Sequence, residues 1–156
     1  METKTVLVTG IGGNVGQGVL RNIRDLNYTI YLIGTDIASF TAGNHLCDIT
    51  YQVPYSYDAS YITTIAEIVD KHNVDLILPT TDYEVYYLSL HKDKINAEIA
   101  VSEPATAKIY LKLYFFILNN YSFLKTSPKY IPFRLNNFDN NFNNNWNNYT
   151  NGLSKV

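Results

Sequence analysis

Cysteine is nearly missing from this chain: Cys47 stands alone among 156 residues. A single thiol excludes an internal disulfide, and beside three scattered histidines (His45, His72 and His91) it makes no zinc site. With no charged activator beside it in the sequence, Cys47 reads as a half-buried small residue rather than a nucleophile. A long apolar run is missing too. The longest, residues 109–118, carries Lys112 and is too short to span a bilayer. No charge of one sign dominates: the net charge is -2 and the pI about 5.8, which offers nothing to nucleic acid or to an anionic membrane. A first strand is expected almost at the amino terminus, where no signal peptide is legible. These absences lead to the expectation of a soluble, cytoplasmic protein with neither nucleic acid nor membrane as partner.

What is present centres on residues 4–26, KTVLVTGIGGNVGQGVLRNIRDL. Val6-Leu7-Val8 reads as a buried parallel strand. Gly10, Gly12, Gly13 and Gly16 follow within seven residues, and then Val15, Val19, Leu20 and Ile23 mark a helical face. Strand, glycine turn and helix form the opening unit of a doubly wound α/β domain. Such a turn lets a ligand or a neighbouring backbone approach closely, and it leaves the first helix amides pointing above the strand ends.

Further along, residues 29–33 predict a second strand that runs into Gly34-Thr35-Asp36. An acid there suits a nucleotide ribose and equally suits a plain strand terminus. Gly43-Asn44 marks a turn. Residues 48–53 predict a third strand, stopped by Pro54. Ala59-Ser60 is expected to cap a helix with Ile62, Ile65, Ala66 and Val69 on its apolar face. Residues 75–79 predict a fourth strand, buried on both faces. Thr81 or Asp82 is expected to cap a short helix over 83–90. Residues 97–101 predict a fifth strand, and Ser102-Glu103-Pro104 opens a helix through Ala107, Ile109, Leu111, Leu113 and Phe116 to about Leu118.

This alternation predicts a Rossmann-like α/β domain of three layers, with a mainly parallel sheet of about five strands and right-handed crossovers. It occupies residues 1–118. Residues 119–156 read as a linker and an irregular tail. Ten of the sixteen residues over 136–151 are asparagine, too little apolar surface to order a core.

Gly10-x-x-Gly13-x-x-Gly16 after Thr9 also fits the dinucleotide fingerprint of extended short-chain dehydrogenases. Such an enzyme needs a Tyr-x-x-x-Lys pair and an upstream serine. Tyr121 to Lys125 has the spacing, but no serine precedes it suitably, and helical periodicity has already ended there. Among fourteen tyrosines a chance match is the better reading. Asp36, Asp82 and Glu84 are chemically able to ligate magnesium or to move protons, and equally able to cap helices or solvate strand ends.

Taken together, VLVTGIGGNVGQG, IGTD, HLCD with YQVPY, DLILPTTDYE and the helix from Glu103 form a combination that resembles the amino-terminal, Rossmann-like pre-ATP-grasp domain of ATP-grasp ligases. The similarity is closest to the carbamoyl phosphate synthetase large chain and related carboxylate–amine ligases, and it covers residues 4–118. DLILPTTDYE is its most specific piece. The resemblance implies that loops at the carboxyl ends of the strands wall one side of a substrate cleft. That wall includes Gly10, Gly12, Gly13 and Asn14, then Pro79, Thr80, Asp82 and Glu84, with Asp36 nearby.

The resemblance also implies a small-molecule carboxylate as substrate. It implies no cofactor within this chain, but ATP and Mg2+ for the full-length family. Two departures stand out. The family ends this domain with an acidic-then-basic pair where this chain has Lys112-Leu113, and the nucleotide-holding ATP-grasp strands are not legible after Leu118. The expectation is therefore a chain carrying the first domain alone, inactive by itself, with the ATP-grasp domains on a separate chain or with a homodimeric partner. Two other readings stay open: an NAD(P)-binding protein of the atypical short-chain dehydrogenase type, and a non-catalytic interaction fragment exposing the apolar helix 109–118.

Overall fold

A computed structural model describes residues 3–112 of the chain. The elements run β1 (Lys4–Thr9), α1 (Asn14–Arg24), β2 (Ile30–Asp36), β3 (Ile49–Gln52), α2 (Tyr61–His72), β4 (Leu76–Leu78), α3 (Asp82–Leu90) and β5 (Glu98–Ile99). Single 3-10 turns lie at Asn44–Leu46 and Lys92–Lys94, and residues 104–112 form a further helix, α4. The five strands are all parallel, in the order β3-β2-β1-β4-β5. The chain thus lays strands outward from β1 and then crosses back to place β4 on its other side. That reversal opens a crevice between the carboxyl ends of β1 and β4, where sheets of this kind take ligands.

The central strands β1 and β2 bury both faces over residues 6–9 and 32–35, so their cores are apolar without alternation, while β3 and β5 at the edges stay partly exposed. On one face Leu7, Ile33 and Ile77 pack against Tyr61, Ile65, Ile68 and Val69 of α2 and Leu88 of α3. On the other, Val6, Val8 and Leu32 pack against Leu20 of α1 and Ile11 of the glycine turn. The result is the expected three-layer α/β domain.

Charge fastens the opposite, amino-terminal edge. The Asp75 carboxylate accepts from the Thr5 amide at 2.8 Å and from Lys4 Nζ at 3.0 Å, which ties the start of β4 to the start of β1. The Asp48 carboxylate accepts from the Leu32 amide at 2.6 Å and meets the Arg24 guanidinium at 3.0 Å, joining β3, β2 and the end of α1. Asn73 closes α2 in the left-handed conformation (φ 48°), which asparagine tolerates better than most residues.

Several local expectations are corrected. Val15 is 63% exposed rather than part of the α1 core face, because it lies in the first turn, above the strand ends. Ser60 precedes α2 but does not cap it; its hydroxyl and amide both turn back to the Asp58 carboxylate, at 2.7 and 2.9 Å. In α4 the buried residues are Ala107 and Leu111, one turn apart, while Ile109 is 65% exposed. The expected extension of that helix to Leu118, the asparagine-rich tail and the Tyr121 to Lys125 pair lie outside the described residues. Among the described residues no helix is long and apolar enough to cross a membrane.

Candidate functional site

Two loops face each other across the β1–β4 reversal: the glycine turn, 10–13, and the segment from Pro79 to Glu84. Gly10 takes φ +61°, a left-handed backbone that permits the sharp exit from β1. A Cβ there would stand 2.8 Å from Thr80 Oγ1 and 3.1 Å from Glu84 Oε2, so the second loop packs directly on the glycine. The Thr80 hydroxyl donates to the Thr9 carbonyl at 2.7 Å, with the Gly10 carbonyl at 3.3 Å. The turn is therefore sewn to β4 as well as to its own helix. Gly16, in the first turns of α1, lies against the Gly10 carbonyl and the Ile11 backbone, and only a residue without Cβ permits that approach.

Asp36 lies at the end of β2, as expected, but its carboxylate turns inward. Oδ2 accepts from the Gly12 amide at 2.8 Å and Oδ1 from the Ala38 amide at 3.0 Å. The Gly13 amide is used by the Gly10 carbonyl at 3.1 Å. Two of the amides offered by the glycine turn are thus satisfied within the fold.

Thr81 caps α3: its hydroxyl accepts from the Glu84 amide at 3.3 Å and donates to Glu84 Oε2 at 2.8 Å. This reciprocal pairing of N-cap and third helical residue follows from the T-x-x-E spacing. Removing the hydroxyl in Thr81→Ala should cost ~1 kcal/mol of stability in urea unfolding. A loss below a few tenths would mean that the cap contributes nothing.

Glu84 itself is only 8% exposed. Burial pushes its pKa up, against hydrogen bonds from Thr81 and Tyr61 that favour the charged form; the negative charge of Asp36 raises it further. The Tyr61 hydroxyl donates to Glu84 Oε1 at 3.4 Å, and that phenol is pushed up in turn, by burial first and then by the glutamate. The Thr9 hydroxyl lies beside the same carboxyl and favours its charged form, without reaching hydrogen-bonding geometry.

The expected wall residues therefore divide in two. Gly10, Gly12, Asp36, Thr80 and Glu84 come together and hold one another. Gly13, Asn14 and Asp82 stay exposed along the crevice, with Pro79 partly buried between them. Tyr61, Thr9 and Thr35 belong to the cluster and were not anticipated. All three are fully buried, and Thr9 and Thr35 are register partners. Thr9 directly after Val6-Leu7-Val8, and Thr35 directly before Asp36, were the available signals. Cys47 is half-buried, as expected, with its thiol pushed up to about 11 mainly by burial, partly offset by Arg24. A thiol so protonated is no nucleophile at neutral pH. Among the described residues no group of three or more His, Cys, Asp or Glu side chains converges as a metal would require.

Among solved structures, glycinamide-RNase-transformylase T of Mycobacterium tuberculosis is 15% identical, with a TM-score of 0.48 over 62% of this chain and 28% of its own. N5-carboxyaminoimidazole synthetase of Staphylococcus aureus complexed with ADP is 15% identical, with a TM-score of 0.46 over 60% of this chain and 23% of its own. The dTDP-glucose 4,6-dehydratase of Bacillus anthracis in complex with NAD is 12% identical, with a TM-score of 0.47 over 62% of this chain and 36% of its own. This chain thus spans only about a quarter to a third of the length of these proteins, and likenesses so distant say nothing of its chemistry. No curated protein matches. The model of the PylC-like, N-terminal domain family matches residues 6–101, from β1 past β5. With more than half of its length matched, the chain belongs to the PylC-like N-terminal domain family, the pre-ATP-grasp domain of ATP-grasp ligases.

Proposed function

We propose that this domain forms the substrate-side wall of a ligase that activates a carboxylate as an acyl phosphate and joins it to an amine, in the manner of carbamoyl phosphate synthetase. One observation carries the reading: the glycine turn and the loop from Pro79 to Glu84 are bonded to each other across the β1–β4 reversal. A locked pair of loops gives a rigid wall. Its ligand-facing groups are then Gly13, Asn14, Pro79 and Asp82, while Gly10, Gly12, Asp36, Thr80 and Glu84 position them. The first amides of α1, behind an N-cap Gly13 with no side chain, favour a carboxylate at the wall.

Mg-ATP does not fit these residues. The segments 9–18, 34–44, 52–61 and 78–90 carry no lysine or arginine, so a triphosphate would meet the exposed Asp82 without a balancing cation. In this reading the nucleotide and its magnesium belong to the ATP-grasp domains rather than to this wall, and the wall makes no phosphoryl-transfer product alone. Isothermal calorimetry of the purified chain with Mg-ATP should give no binding heat at submillimolar nucleotide. A micromolar dissociation constant overturns the reading.

A second reading, an NAD(P)-binding protein, is favoured by one feature, the acid at the end of β2 beside the glycine turn. It predicts micromolar NADPH binding in a fluorescence titration, lost in Gly13→Val. On the ligase reading neither protein binds the cofactor, because its pyrophosphate would meet a turn whose Gly12 and Gly13 amides are already taken and which carries no lysine or arginine.

A further inference from the structure

We propose that a separate pocket, at the carboxyl ends of β2 and β3, binds a flat, phosphate-free heteroaromatic ring of the nucleoside class. The pocket is open, about 340 Å3 in volume, and lined by Ile37, Gln52, Val53, Pro54 and Tyr55. That volume falls at the lower end of small-molecule sites, roughly 300–1,000 Å3. Ile37, Val53 and Pro54 supply aliphatic walls. Tyr55 supplies an aromatic one, lying flat on Tyr57 with ring centroids 5.2 Å apart and planes 9° from parallel. Both tyrosines are about half exposed, so the pair offers a platform on which a third ring can stack.

The polar groups are few and fixed, as recognition of one orientation requires. Gln52 Nε2 donates to the Ile37 carbonyl at 2.9 Å, which holds the amide and leaves its oxygen to accept from an exocyclic amino group on the ring. Asp36 immediately precedes Ile37, and its carboxylate is anchored by the Gly12 and Ala38 amides. A carboxylate has lone pairs beyond those two bonds, and at the end of a second strand it suits vicinal sugar hydroxyls. Charge then excludes the rest of a nucleotide. The lining holds no lysine or arginine and Asp36 stands next to it in the chain, so a phosphate has no counter-charge there. None of the residues that line the pocket belongs to the proposed wall, and the proposal holds whether or not the ligase reading does.

The test is a titration of the full chain with adenosine and with AMP, followed through backbone amide shifts in 1H–15N spectra. Adenosine should move the amides of Ile37, Val53 and Tyr55 saturably. AMP should bind several-fold more weakly at low salt, the gap narrowing as salt screens the repulsion. Tyr55→Ala, and independently Ile37→Ser, should lose most of the adenosine response, while Tyr110→Ala on α4 keeps it. All three side chains are exposed enough to change without unfolding the domain. The proposal fails if millimolar adenosine moves nothing, or if AMP binds as tightly at low salt. It fails equally if both pocket variants respond as the wild type does, or if the shifts fall on Gly13 and Asn14 instead.

Discussion

Gly16→Ala should cost the domain ~2–4 kcal/mol, while the same exchange two residues on, Gly18→Ala, should stabilise it by ~0.5–1 kcal/mol. The chemistry of the two changes is identical and both lie inside α1. They differ in what a Cβ meets. At Gly16 it would overlap the Gly10 carbonyl oxygen and press on the Ile11 Cα at 2.9 Å. Those atoms are backbone, held by the Gly10 left-handed bend and by the hydrogen bond from the Ile11 amide to the Thr35 carbonyl at 3.2 Å. They cannot swing aside as a side chain would, so α1 must lift from β1 or the turn must deform. At Gly18 nothing lies within 4 Å, and the added methyl only narrows the unfolded ensemble and improves helix propensity. With ~4–8 °C per kcal/mol for a domain of this size, the melting temperatures should part by ten degrees or more. Equal melting temperatures for the two variants would show that the turn is not packed as described.

That pair of glycines also shows how much the sequence discloses. Four glycines in seven residues announced a strand-to-helix turn, and the element order followed from runs of apolar residues between turn signals. Which glycine is indispensable was not legible, because the reason is a carbonyl six residues back. In α2 the expected face packs on the core, with Ile65 and Val69 buried and Ile62 and Ala66 partly buried against the same cluster, but Tyr61 and Ile68 are buried too and were left out of it. A tyrosine at the head of a helix reads as amphipathic surface until a buried carboxylate is found to meet its hydroxyl.

The residues assigned to the proposed wall could be named from the sequence, but the contacts among them could not. Asp36, Thr80 and Glu84 were singled out as ligand-facing from the family pattern. Whether a strand-end acid turns to a ligand or to its own backbone depends on distances the sequence does not contain. Here Gly12 lies within 3 Å of Asp36, and Glu84 lies beneath Gly10. The same polar residues that a binding site would use are the ones that hold the two loops in register.

Glu84 gives the other large expected effect, and its sign is set by burial. A carboxyl whose folded pKa is raised holds its proton in the native state at pH values where the unfolded chain has lost it. The native state then binds more protons, and stability must fall as pH rises. The fall begins near the ordinary value of 4.5 and levels off once pH passes the raised native value. Asp58 and Asp75 act oppositely: their pKa values are lowered, by hydrogen bonds from Ser60 and from Thr5 and Lys4, so their contribution is lost on acidification below the usual carboxylate range. The difference between wild type and Glu84→Gln isolates the glutamate from both. Urea unfolding of the two proteins at a series of pH values should show the variant gaining on wild type from about pH 4.5 upward and then holding a constant lead. Glu84→Ala should instead lose ~2–4 kcal/mol near pH 5, since it opens a cavity and strands the buried Tyr61 hydroxyl. Parallel pH profiles for wild type and Glu84→Gln would mean that the carboxyl titrates as it does in the unfolded chain. In that case Glu84 would be open to the crevice and available to a substrate, and the division of the wall into positioning and ligand-facing residues would have to be redrawn around it.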